Sequence, residues 1–504
     1  MISGLPRLEP PKDTLRDLEL LIRSRYGLIV LETEEQDRAE MLLGHLADRL
    51  GLPLFIWTRS KGLRRSDLPS GIYGTADPAG ALAHVEGAEI GAVYQFRDLG
   101  PYLGDAALAA RLKDAARALS ERPGALILTG AAEPLPEQVR QLAASVRLDG
   151  PTPEEYGSLL DHIVRDLSAR QPVRVELSAQ DRARLIANLR GLTLLEAEKL
   201  LTRAIIEDGR LSADDLAHVL EAKRAVIERE GLLEYYPVEE SMAEVADLAT
   251  LKDWLAKRRA ILAAPERAAE FGLPFPKGVL LLGVPGCGKS LCAKAVSMEW
   301  GLPLLRLDTA ALYNKYIGET EKNFKRAMSV AERVAPVVLW IDEIEKAFAA
   351  GGEEDGGVSQ RVLGSFLSWL QDRKGDVFIV ATANDVTRLP PELLRKGRFD
   401  EIFFVDLPDA ESRAAIFRIH LRKRGQDPDR FDLAALASAT EGFSGAEIEQ
   451  AIVSALYTAF SAGTPLTMQL VLEEIARTRP LSETMAERIA ALRAWARDRT
   501  VSAH

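Results

Sequence analysis

The stretch VLLLGVPGCGKS, residues 279–290, limits the possible folds of this chain more than any other. It sets G-x-x-x-x-G-K-S between an apolar run and a helical pattern, LCAKAVSMEW. A phosphate-binding loop needs that context. Its glycines let backbone N–H groups turn inward, and the N-terminus of the next helix adds its positive end. The candidate nucleotide-binding run is therefore Gly283, Val284, Pro285, Gly286, Cys287, Gly288, Lys289, Ser290 and Leu291. Lys289 is expected to reach the β- and γ-phosphates, and Ser290 to ligate Mg2+. Such loops stand at the carboxyl ends of parallel strands, so the fold class is α/β, with parallel sheets between helices.

Two further strands carry chemistry. VVLWIDE, residues 337–343, is an apolar run ending in two acids. Asp342 is expected to hold Mg2+ through its water shell, and Glu343 to orient and deprotonate the attacking water. DVFIVATAND follows, and its Asn384 is a polar group that can touch the γ-phosphate or the water.

With GRFD and GFSGAEIEQAI downstream, these pieces fall in one order over residues 240–465, and the chain there resembles the AAA family of ATPases. The resemblance implies ATP hydrolysis with Mg2+ in a homo-oligomer, a hexameric ring. It makes Asn384 the first sensor and Arg398 an arginine finger that completes a neighbouring subunit's site. Many relatives carry a second arginine where this chain has Glu401. Gly445 and Ala446 would lie near the nucleotide. The backbone around Ala246, Asp247 and Leu248 would contact adenine, although the usual Gly-Gly is missing. In YNKYIGETEKNF, Tyr316 and Ile317 match an aromatic–hydrophobic pair that grips a protein chain in the ring's pore. AAGGEEDGGVSQR is expected as a loop near that pore.

The first half of the chain repeats the pattern without its chemistry. GLIVLETEEQDRAEMLLGHLADRLGLPL from Gly27 parallels GVLLLGVPGCGKSLCAKAVSMEWGLPL from Gly278, with one residue of slippage. AVYQFRD parallels VVLWIDE, PGALILTGA parallels DVFIVATAN, and GLTLLEAEKLL parallels GFSGAEIEQAI. No GRFD counterpart lies between 132 and 150. Shared order at a long period indicates an internal duplication. Glu32, Glu34, Glu35 and Asp37 stand where glycines and Lys-Ser would be, so the first module is expected to bind no ATP. It would serve as an interaction platform, a ring-stiffener or a substrate recruiter. The order of degenerate module and active module resembles a group of AAA-domain proteins encoded in red-algal plastids and in cyanobacteria.

The expected organisation is an N-terminal arm over 1–15, a degenerate core over 16–150 and its helical lid over 151–230. A linker over 231–244, an active core over 245–408, its lid over 409–470 and a C-terminal helical region over 471–504 follow. The face of ETMAERIAALRAWARDR reads as a solvated helix face. No apolar run approaches the length of a membrane span. Two unpaired cysteines suit a reducing interior such as a bacterial cytosol, and the resemblance to the plastid-encoded group implies a plastid stroma as the other location. The six scattered histidines form no metal cluster. A formal charge of −11 argues against a nucleic-acid partner. The expected activity is ATP-driven remodelling or unfolding of a protein partner. A slow nucleotide switch or assembly factor is the alternative, and nucleic-acid handling a third.

Overall fold

The computed structural model describes residues 12–130, 135–212, 215–229, 231–236, 248–309, 319–348, 358–373 and 375–504. Ala246, Asp247, Tyr316, Ile317 and most of the loop expected near the pore lie outside them. The chain divides into two compact units, Met1–Lys223 and Arg224–His504.

The first unit holds six strands: β1 (Leu28–Glu32), β2 (Leu54–Thr58), β3 (Gly62–Arg65), β4 (Ala92–Arg97), β5 (Gly124–Gly130) and β6 (Ala143–Arg147). Their order is β3-β2-β4-β5-β1-β6, parallel except for β3 at one edge. LIVLE and GALILTG are nearly unbroken apolar runs because helices cover both faces of such a sheet. Strand alternation sends Leu28, Leu126 and Phe96 to one core and Ile29, Ile127 and Val93 to the other. Beyond this sheet, β7 (Arg174–Glu176) and β8 (Arg210–Ser212) form a small parallel pair among lid helices.

The second unit adds β9 (Leu233–Tyr236), β10 (Gly278–Gly283), β11 (Leu304–Leu307), β12 (Val337–Ile341), β13 (Val377–Ala383), β14 (Glu401–Val405) and β15 (Val501–Ser502). The order β15-β14-β10-β13-β12-β11-β9 contains the first sheet's five parallel strands in the same sequence. An antiparallel strand edges each sheet beside the second strand, β3 on β2 and β9 on β11. Both G-L-P-L turns close alike. Gly51 and Gly301 adopt left-handed φ values of 65° and 66°, and Leu52 N and Leu302 N bond back to Ala47 O and Ser297 O at 3.0 Å. Both lid helices open on a capping box, Thr193 with Glu196 and Ser444 with Glu447.

Strand pairing also removes the one-residue slip. Leu28 faces Leu126 as Gly278 faces Ile379, so β1 and β10 align at Leu28 and Gly278 rather than at Gly27 and Gly278.

Several boundaries fall elsewhere than the composition suggests. The helix Lys12–Arg23 begins inside the expected arm and buries Leu15. The expected linker contains β9. The lid's last helix, Met468–Arg477, runs past 470 because Val471 and Ile475 belong to the lid core. The C-terminal region is more than a solvated helix: Leu492 and Ala496 enter the second unit's core, and β15 extends its sheet. Pro480 starts a new helix, as a residue unable to continue the old one should.

Candidate active site

After β10, the loop turns through Gly286 and Gly288, whose φ values are +78° and +86°, a region that favours glycine. Gly288 then caps the helix Lys289–Trp300. At Gly283 an added Cβ would meet Val405 O at 1.9 Å, so the strand itself demands glycine there. The lid lies directly on the loop: Ala446 N donates to Gly286 O at 3.1 Å. Lys289 is buried, and its ammonium donates to Gly283 O and Val284 O at 3.0 and 2.7 Å. Burial pulls its pKa down to about 8. Burial pushes the Cys287 thiol up to about 12, so this cysteine is no thiolate nucleophile.

One side chain of the loop and two from the end of β13 hold Asp342 and Glu343. Ser290 Oγ donates to Asp342 Oδ1 at 3.0 Å, and Thr382 Oγ1 donates to the same oxygen at 2.6 Å. Glu343 N donates to Thr382 Oγ1 at 3.0 Å, and Asn384 Nδ2 donates to Glu343 Oε1 at 3.2 Å. Lys346 holds the other Glu343 oxygen. Glu345 is buried behind this pair. Its Oε1 accepts from Asn384 N at 2.8 Å, its Oε2 has no hydrogen-bond partner among the described residues, and burial raises its pKa. The set suits Mg2+. That ion takes hard oxygen ligands, usually one or two from protein with the rest from phosphates and water. Ser290 and Asp342 supply such oxygens at the loop's end, and no larger metal-binding cluster exists among the described residues.

These groups line one cleft of about 600 Å3, within the range of small-molecule sites. Residues Pro285 to Leu291, Asp342, Glu343, Asn384, Gly445 and Ala446 all border it. Leu248, Pro408, Ile416, Ile419, His420 and His504 give it an apolar and imidazole wall. Arg398 is not in the cleft; its guanidinium donates to Leu367 O at 2.7 Å and Gln371 Oε1 at 3.2 Å. Sequence reasoning missed Thr382, Glu345 and the two histidines. A hydroxyl at the end of an otherwise apolar strand was a usable signal for Thr382. The histidines gave none, because each stands alone in the sequence.

The first unit closes the matching place. Under the strand register, Gln36, Asp37 and Arg38 match Gly286, Cys287 and Gly288, and the helix Gln36–Leu50 starts three positions earlier than its counterpart. The cradle is wound into helix, and Ala39 and Glu40 stand where Lys289 and Ser290 would. Arg38 is buried, bonded twice to Glu155 at 2.9 Å and once to Glu35 at 3.1 Å. Glu35 in turn accepts from Leu194 N, at the start of the lid helix, at 2.7 Å. Of the four acids, Glu35 thus holds the lid to the core, while Asp37 pairs with Arg97 at 3.2 Å.

Comparison with known proteins gives the same division. Residues 279–407 match the family of ATPases associated with various cellular activities (AAA), and 430–470 an AAA+ lid domain. Residues 14–148 and 154–230 match the N-terminal and second domains of SpoVK-like AAA ATPases. The chain is 34% identical to the uncharacterized AAA domain-containing protein ycf46 of Trieres chinensis, over 95% of this chain and 96% of that one. The ycf46 protein of Pyropia yezoensis is also 34% identical, over 96% and 97%. A proteasome-activating nucleotidase of Saccharolobus solfataricus is 39% identical over 44% of this chain and 59% of its own.

Proposed function

This chain belongs to the AAA family and is an ATPase that uses ATP with Mg2+, and from that premise we propose that it works as a hexameric ring that remodels or unfolds a protein partner. The observation that carries the reading is the joined set Ser290–Asp342–Thr382–Glu343–Asn384 in one cleft, with Arg398 bonded outside it. The loop amides and the Lys289 ammonium bind the triphosphate. Lys289 leaves two backbone carbonyls to do so. Ser290 and Asp342 would hold Mg2+, which would neutralise charge on the phosphate oxygens. Glu343 takes the proton of the attacking water on a carboxylate oxygen, and Asn384 orients that carboxylate. Thr382 fixes both acids through one hydroxyl. Arg398 serves the neighbouring protomer's cleft, where its charge meets the transferred phosphoryl group.

The name of the archaeal nucleotidases supports a protein as the thing acted on. Tyr316 and Ile317 are the residues proposed to grip it. Ala246 and Asp247 are proposed at the base. The first unit, with its cradle wound into helix, binds no nucleotide and acts as a docking or stiffening body. One observation favours the slow-switch reading: Lys346 engages Glu343 and competes for the base. The free thiols Cys287 and Cys292 support a reducing compartment. Among the described residues no helix is long and apolar enough to cross a membrane.

The test is the solution mass of the Glu343→Gln chain with and without Mg·ATP. Growth to a discrete ring supports the proposal, and an unchanged mass contradicts it. Tyr316→Ala should then abolish substrate processing while ATP turnover continues. Equal turnover and processing losses would favour the switch.

A further inference from the structure

Beyond the helix Ala486–Ala496 the chain returns to the sheet. It lays β15 parallel to β14, with Val501 opposite Phe403 and Ser502 opposite Phe404. Ala503 is fully buried; its N–H donates to Phe404 O at 3.0 Å, and its carbonyl accepts from Leu251 N at 3.3 Å. Thr250 Oγ1 donates to the His504 carbonyl at 2.7 Å. The backbone is therefore fixed on both sides of the His504 side chain.

That side chain is tied in as well. His504 Nε2 accepts from Asp406 N at 3.2 Å, which in a neutral ring leaves the proton on Nδ1. Asp406 is clamped a second time from the same C-terminal region, by Arg493 through bonds of 2.8 to 3.0 Å. Arg488 reaches Asp385, next to Asn384, at 2.8 Å. The region thus touches the cleft's rim at two places and its wall at one.

The cleft has two kinds of lining. The loop amides, Lys289 and the acids suit a triphosphate and its cation. The wall with Leu248, Pro408, Ile416, His420 and His504 is mainly apolar and imidazole, with Lys423 and Glu449 also in the lining, and suits a flat heteroaromatic ring. We propose that His504 contacts the base of the bound nucleotide, making the C-terminal strand a working part of the ATP site. This rests on the reading of the cleft as that site. By linkage, ATP tightens the docking of residues 499–504, and their docking tightens ATP. A two-residue strand has little stability of its own, so the base contact should have a measurable share in holding it.

The test uses the full chain with two probes, Mg·ATP and inorganic tripolyphosphate with Mg2+, by titration calorimetry. His504→Ala should weaken ATP about tenfold, the scale of losing one base–ring stack. It should leave tripolyphosphate, which has no base, unchanged. His504→Phe keeps a flat ring and should retain ATP affinity. Hydrogen exchange on the wild-type chain gives a second readout: ATP should slow exchange at 499–504, and tripolyphosphate should not. Equal weakening of both probes, or of neither, overturns the proposal, as does exchange at 499–504 that ignores ATP. If the wild-type chain binds neither probe, the reading of the cleft fails and the proposal falls with it; where it binds both, Lys289→Ala should lose both, which places the binding in this cleft.

Discussion

Asp98 and Glu343 follow equivalent strands in two sheets of the same order, and both hold a left-handed backbone, with φ of 52° and 48°. Few non-glycine residues adopt that conformation, and it costs free energy at each. In the second unit it accompanies a carboxylate shared by Asn384 and Lys346. In the first, the Asp98 carboxylate accepts from Gln36 Nε2 at 3.0 Å, and Gln36 also bonds Thr129. One backbone feature survives in both units, and in the second it stands at the cleft that Glu343 lines.

Glu343→Gln should keep ATP binding and lower the hydrolysis rate about 10²- to 10⁴-fold, the usual weight of a general base. Steady-state turnover with equilibrium binding on the same protein checks it. Normal hydrolysis would remove Glu343 from the mechanism.

Lys289 should make ATP binding depend on pH. Its pKa, lowered to about 8 from an ordinary 10.5, means that the unliganded folded chain holds fewer protons than the unfolded chain between those values. The unliganded protein should therefore gain stability from this group as pH rises through that window. The triphosphate needs the ammonium, so affinity should fall by up to about tenfold per pH unit above 8, with proton uptake on binding. Calorimetry at pH 9 in buffers of different ionisation heat checks the uptake. No uptake would mean that Lys289 stays charged in the empty loop.

The Arg38 cluster should behave as a buried ion network. Arg38→Met strands Glu155 and should destabilise the first unit by about 3 to 5 kcal/mol. Adding Glu155→Leu should restore most of the loss. Thermal melts of the single and double variants check this; a purely additive second loss would show that packing, not charge, holds the lid there.

Much of this was legible in the sequence. The loop, the acids of VVLWIDE and Asn384 were placed by motif order, since each follows the end of an apolar strand. The duplication was legible from G-L-P-L and the lid caps, which set turns and helix starts locally. The reach of Glu35 to Leu194 was not, because 159 residues separate them and only the folded lid joins them. The early helix start at Gln36 was hidden for a different reason: matching Gly27 to Gly278 shifts the register by one and blurs which residues replace the cradle. His504 and Asp406 meet across 98 residues through a strand of two. Strand signals need runs of four or more, so none was available.

Thr382→Val should separate geometry from binding. Losing the hydroxyl takes one of two donors from Asp342 Oδ1 and the acceptor from Glu343 N, so hydrolysis should fall more than ATP affinity does. Measuring kcat and Kd on the variant decides it, and an equal loss in both would assign Thr382 to binding alone.

The central claim is that one chain's Glu343 works with its neighbour's Arg398, and mixing two inactive variants tests it most directly. Glu343→Gln chains supply an intact Arg398, and Arg398→Ala chains supply an intact base. Equal mixing in a closed ring should restore about a quarter of wild-type turnover, since about one interface in four then pairs both intact groups. Turnover that stays at the level of the separate variants would contradict a site shared between protomers.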